Sequence, residues 1–253
     1  MTALPGIRRA RGFRLYTGEG RRLVDLWQLG GAALLGHNPP GVLRALKNAA
    51  SRGLFAPFPH PLQGRLVKAL TRLLPGRVFR VYAGEAALRR ALAEAGFDGD
   101  APFADPALTP AAAAGPSPAL WRPFLGPADK NPPPAGPPVL RLVLPWTLAP
   151  PALALEAALD GRFPPSDPVS PVILAGTVRS VLDLLAAPAR PRFPRLDRAL
   201  AGGPWQRRGI YLRPPAGLTG PAYPRLFHRF LERGFLAPPE EGPLILPALL
   251  SPG

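Results

Sequence analysis

Residues 78–96 read VFRVYAGEAALRRALAEAG: a short apolar run, a glycine-centred turn carrying an acid, then an Ala/Leu/Arg stretch with helical spacing. The first amides of a helix have no intrahelical acceptor, and the helix dipole puts its positive end there. The backbone at Ala83, Gly84 and Glu85 could therefore cradle a phosphate or another anion. The same glycine serves equally well as a tight turn between strand and helix. For nucleophilic amine chemistry the chain offers three lysines, Lys47, Lys68 and Lys130. Its histidines stand at 37, 60 and 228, far from the i, i+4 or short-loop spacing of a metal site, and no metal is expected. The absence of cysteine excludes disulfides and thiolate metal centres. There is no nucleophile elbow and no Walker loop.

The 31 basic residues outweigh 16 acidic ones and give a formal charge of +15. Only three of the cations are lysine, and the arginines are scattered through a chain rich in Ala, Gly and Pro, as GC-rich coding would produce. Clustered cations and interleaved aromatics, which polyanion and single-strand binders need, are not evident. Specific nucleic-acid binding is not expected, although an anion or nucleic-acid binder using the arginine surplus stays open as an alternative. No window reaches the roughly 18 apolar residues of a membrane span, and the N-terminus lacks a signal-peptide core. The default expectation is a cytoplasmic protein.

The elements that must position these residues follow from periodicity. Two alternating runs around Gly18-Glu19-Gly20 in FRLYTGEGRRLVDLW (13–27) predict a β-hairpin. Pro39-Pro40 opens a helix with Val42, Leu43, Leu46 and Ala50 on its apolar face, and residues 61–76 predict a second helix. Proline recurs so often over 97–138 that this stretch reads as a long connection. VLRLVLPW (139–146) predicts a strand, residues 170–186 a helix with Ser170 as N-cap and Pro171 at its first position, RGIYLRPP (208–215) a strand, and 222–235 a helix striped by Leu226, Phe230 and Leu231.

The order of these elements resembles the class III aminotransferases, pyridoxal-phosphate (PLP) enzymes of fold type I. The resemblance is carried by LYTGEGRRLVDLW followed by GGAALLGHNPPGVLRAL, by VFRVYAGEAALRRAL in the place of the family's S-G-[AST]-E-A step, and by LFHRFLERGFLAPPEEGPLILPALLSPG at the far end. It covers roughly residues 8–96 and 170–253, and SPVILAGTVRSVLDLLA looks like the helix leading out of the family's large domain.

The resemblance implies a reduced α/β fold of the fold-type-I PLP-transferase type. It would comprise an N-terminal segment with part of a small domain (1–76), a shortened central sheet region (77–169, including the connection 97–138), and an exit helix with a C-terminal α+β small domain (170–253). It also implies that Ala83, Gly84 and Glu85 would meet the cofactor phosphate, with Ala83 in place of the usual serine. The family's Schiff-base lysine lies in a glycine-rich turn before the exit helix. By order only Lys130 is a candidate, and its setting, GPADKNPPP, does not resemble that turn. Asp160 and Asp167 follow no strand of the kind that carries the family's ring-nitrogen aspartate. The expectation is thus a degenerate aminotransferase-like protein, noncatalytic and used for binding or assembly, with PLP bound weakly or lost. A residual PLP-dependent aminotransferase or aminomutase is the alternative. Gly36 and His37 are implied at an interface loop, with Leu34 and Leu35 exposed in a monomer unless a second copy or a full-length paralogue covers them.

Overall fold

A computed structural model describes residues 4–109, 115–125, 136–187 and 193–247. They form two compact units: unit 1 takes the described residues of Met1–Pro39, Pro123–Lys130 and Pro188–Gly253, and unit 2 those of Pro40–Arg122 and Asn131–Ala187. The divisions fall at Pro39 and Ala187, not at the expected 76 and 169.

The chain enters unit 1 with β1 (Ile7–Arg11), β2 (Arg14–Thr17) and β3 (Arg22–Asp25), joined antiparallel. The predicted hairpin is β2–β3. The strand β1 escaped notice because three arginines interrupt its alternation.

Unit 2 opens with α1 (Pro40–Ala50) and α2 (Pro61–Leu73), then β4 (Arg77–Val81) and α3 (Glu85–Glu94). β5 (Ala119–Trp121) lies inside the predicted proline-rich connection, and β6 (Val139–Leu142) and β7 (Ala152–Glu156) complete a sheet of order β4-β7-β6-β5. β7 is antiparallel to both neighbours, and β5 and β6 are parallel. α4 (Pro171–Ala186) closes the unit.

Strand alternation divides the core into two layers. Phe79, Val81, Leu140, Leu142, Ala152 and Ala154 face α2 and α4 through Leu66, Leu70, Leu174 and Val181. On the opposite face Val139, Leu153 and Leu155 meet Leu88 and Leu92 of α3. Buried on both faces, β7 is apolar from Ala152 to Leu155 and ends at the part-exposed Glu156. α1 and α2 both pack on α4, which is why these helices belong to unit 2 and not to an N-terminal segment. On α1 the buried positions are Val42 and Ala49, while Leu43 is exposed. Ser170 occupies the N-cap position of α4, but its hydroxyl donates to the Leu54 carbonyl instead of capping the helix.

The chain returns to unit 1 with α5 (Pro194–Leu200), the hairpin β8 (Gln206–Arg208) and β9 (Tyr211–Arg213), α6 (Tyr223–Glu232), β10 (Phe235–Leu236) and β11 (Leu244–Ile245). β10 adds parallel to β3, and β11 pairs with β9. The predicted strand 208–215 is therefore a turn and one strand of a hairpin. No helix among the described residues is long and apolar enough to cross a membrane.

Candidate functional site

The turn between β4 and α3 has the predicted form. Gly84 is the N-cap of α3, offers no side-chain cap, and holds extended backbone at φ −172°. A β-carbon there would meet nothing within 4 Å, so neither conformation nor crowding demands glycine.

The cradle's own chain occupies it. The Ala83 amide donates to Asp167 Oδ2 at 2.8 Å. The segment bearing Asp167 is anchored alongside the end of β4, with the Val81 amide donating to Ser166 Oγ at 3.0 Å and the Asp167 amide to the Val81 carbonyl at 2.9 Å. Glu85, in the first turn of α3, accepts from both terminal nitrogens of Arg141 at 2.8 and 2.7 Å, a bidentate fork. Arg141 extends from β6 on the face that meets α3, and Arg80 pairs with Asp160. A carboxylate thus sits at the amide that an incoming phosphate would need, and a second acid stands in the first helical turn. Both favour the helix N-terminus electrostatically and repel another anion there.

Tyr82 follows β4 with 1% of its surface exposed, and its hydroxyl has no hydrogen-bond partner among the described residues. Burial pushes it up to about 12; Arg80 opposes this, while Asp167 and Glu94 reinforce it.

The described lysines do not approach this turn: Lys47 and Lys68 lie on exposed faces of α1 and α2. Lys130 lies outside the described residues. The loop from β6 to β7, which precedes the exit helix, reads VLPWTLAPP and contains no lysine. Its Trp146 lies against α4, where a β-carbon on Gly176 would come within 2.6 Å of the indole. At the turn itself one amide open to an anion is already met by Asp167, and neither described lysine lies there.

The other motif of the resemblance, VDLW with LGH, forms a structural knot in unit 1. Asp25, 1% exposed, accepts from the Trp27 and Gln28 amides at 2.9 and 2.8 Å, and its other oxygen lies 2.7 Å from His37 Nε2. This holds Gln28 and Leu29 at positive φ, 47° and 50°, where non-glycine residues are strained. His37 donates its amide to the Gly12 carbonyl, and a β-carbon on Gly36 would come within 3.0 Å of Gly12 backbone. Leu34 is fully buried within the chain, contrary to the expected exposure, and Leu35 is half-buried. The other histidines are spent separately: His60 Nδ1 caps α2 by accepting from the Leu62 amide, and His228 is exposed. No group of three or more metal-ligating side chains occurs among the described residues.

Sequence reasoning missed Asp167 and Arg141 as members of the turn's constellation. Arg141 left a signal, a lone charge inside the apolar run VLRLVL. Asp167 left none, because it sits in the aperiodic stretch PPSDPVSP and acquires its role only through pairing with β4.

No family model matches the chain. An uncharacterised protein of Treponema pallidum is 33% identical over 189 residues, 73% of this chain and 56% of that protein. The chain thus spans about half the length of this relative. Glutamate-1-semialdehyde 2,1-aminomutase of Verminephrobacter eiseniae is 36% identical over 69 residues, 27% of this chain and 16% of the enzyme. Among solved structures, ornithine δ-aminotransferase of Plasmodium falciparum superposes with a TM-score of 0.68 at 14% identity, over 99% of this chain and 90% of that one. The architecture is a mixed α/β fold of the fold-type-I aminotransferase kind.

Proposed function

We propose that this chain is a noncatalytic relative of the class III aminotransferases that works by binding and assembly. The observation that carries this reading is the Asp167 carboxylate on the Ala83 amide, 2.8 Å away, where the fold would otherwise receive a cofactor phosphate. An internal anion fixed in that position supplies the turn with the charge its amides require, and so the frame is stable without a cofactor. The bidentate Glu85–Arg141 pair serves the same end at the first turn of α3.

A surface suited to assembly lies elsewhere in unit 2. Phe55 and Phe58, between α1 and α2, are 64% and 58% exposed, unusual for large aromatics so close together. They offer an apolar patch to a second copy or to a longer relative.

The test uses PLP itself. Incubation with PLP, borohydride reduction and peptide mapping should yield no stoichiometric pyridoxyl-lysine. Asp167→Asn, which removes the charge while keeping the shape, should tighten binding of PLP or inorganic phosphate about tenfold, equivalent to about 1.4 kcal/mol. Stoichiometric labelling of Lys130, lost together with amino-group transfer in Lys130→Ala, would overturn the noncatalytic reading. For assembly, sedimentation across a dilution series should show self-association or capture of the longer relative, either abolished in Phe55→Ser/Phe58→Ser. A wild-type chain that stays monomeric and ignores that relative would remove the assembly role.

A further inference from the structure

We infer that unit 1 carries a binding site for a single-chain alkyl carboxylate, its tail among leucines and its head on Arg229 and Arg233. The site is a cavity of about 490 Å³, within the ~300–1,000 Å³ range of small-molecule pockets. α5 supplies Leu196 and Leu200, β9 Leu212, α6 Leu226 and Phe230, and β11 Leu244. Phe230 is fixed edge-on between Trp205 and Phe235, with ring centroids 6.2 Å away in each case, so that wall is rigid. Flexible leucine side chains make up most of the rest, a lining that accommodates an alkyl chain more readily than a flat ring.

The only charged residues of the lining are Arg229 and Arg233. They are four residues apart at the C-terminal end of α6 and so share one helix face. Neither forms an ion pair among the described residues, whereas Arg80, Arg122, Arg141 and Arg207 are each matched to a carboxylate. Two guanidiniums beside an apolar cavity, neither ion-paired among the described residues, are complementary to one ligand chemistry, a buried tail with an anionic, fork-accepting head. Because the tail is apolar, affinity must rise with its length, and because the head is recognised by arginine, a neutral or cationic head must lose. This site is independent of the β4–α3 turn and of the noncatalytic reading.

Calorimetric titration of the full chain with dodecanoate, below its micelle concentration, tests the inference. Saturable one-to-one binding is expected, at least tenfold tighter than for dodecanol and undetectable for dodecyltrimethylammonium. Decanoate, two methylenes shorter, should bind roughly tenfold more weakly. Arg229→Ala/Arg233→Ala, at exposed positions, should reduce dodecanoate to about the affinity of dodecanol. Non-saturable uptake, equal affinity for the cationic amphiphile, or dodecanoate binding unaltered in the double variant would overturn the site. So would binding to anionic phospholipid vesicles without binding of monomeric dodecanoate, which would indicate a lipid surface.

Discussion

Around the β4–α3 turn of unit 2 the charges are closed on one another, with Arg141 on Glu85, Arg80 on Asp160 and the Ala83 amide on Asp167. In unit 1, Arg229 and Arg233 border an apolar cavity, and neither is ion-paired among the described residues. The contrast separates two uses of a chain with a surplus of 15 positive charges. Where a basic group and an acid meet within the same unit, the constellation holds a frame together and has little attraction left for a ligand. Where guanidiniums stand beside a leucine-lined cavity, both the polar and the apolar demands remain open. The β4–α3 turn is thus the poorer ligand site, although its sequence resembles one more closely.

Two glycines, one in each unit, differ in what crowds them. In unit 1 Gly209 turns the β8–β9 hairpin at φ +57°, and a β-carbon there would overlap the Phe124 carbonyl oxygen. Backbone does not yield as a side-chain tip does, and the left-handed conformation adds its own strain. Gly209→Ala should cost about 3–5 kcal/mol. In unit 2 the nearest neighbour of Gly176 is the Trp146 indole, 2.6 Å from where the β-carbon would be. A ring can shift, and Gly176→Ala should cost about 1–3 kcal/mol while moving the tryptophan near-ultraviolet signal. Urea unfolding of both variants measures this; a Gly176→Ala loss as large as that of Gly209→Ala would remove the distinction between a packed and a backbone-locked glycine.

Elements whose pattern is local were legible in the sequence. The hairpin β2–β3, helices α1, α2, α4 and α6, and the β4–turn–α3 unit follow from period and punctuation. β5 and β7 were not, because each is a short apolar run between prolines, and a strand of that kind is defined by the neighbours that hydrogen-bond it. β7 is buried on both faces and shows no alternation of polarity to read. The same limit governed the site. Gly84 and Glu85 could be placed at the turn from a motif, but Asp167, which accepts from the Ala83 amide there, approaches across 84 positions of sequence. His37 is legible as a loop residue, yet its partner Asp25 emerges only when the loop folds back on β3.

Each unit buries one tyrosine whose hydroxyl is pushed up to about 12, Tyr82 in unit 2 and Tyr223 in unit 1, in both cases chiefly by burial. An unfolded tyrosine ionises near 10. Below pH 10 both states keep the proton and the stability is intact. Between about pH 10 and pH 12 the unfolded chain releases protons that the folded chain retains, so stability falls with rising pH. The loss should approach about 2–3 kcal/mol for each tyrosine, on the order of 1.4 kcal/mol per pH step at its steepest. Unfolding free energies measured from pH 8 to 12 should bend downward near 10, and a flat profile across that window would show that neither ring is held from water.

Although the two tyrosines share this shift, their hydroxyls have different surroundings, and the smallest expected effects tell the two apart. Tyr223 donates to the Pro238 carbonyl at 2.9 Å, whereas the Tyr82 hydroxyl is buried with no partner among the described residues. Removing a satisfied hydroxyl leaves a carbonyl unpaired, so Tyr223→Phe should destabilise by about 1 kcal/mol. Removing an unsatisfied one abolishes a desolvation cost without breaking a bond, so Tyr82→Phe should be neutral or stabilising by about 1 kcal/mol. Both variants should lose their share of the alkaline slope. The comparison is read from unfolding midpoints at pH 7 and pH 11. A clear loss at pH 7 in Tyr82→Phe would mean that this hydroxyl has a partner after all, and the contrast between the two tyrosines would be lost.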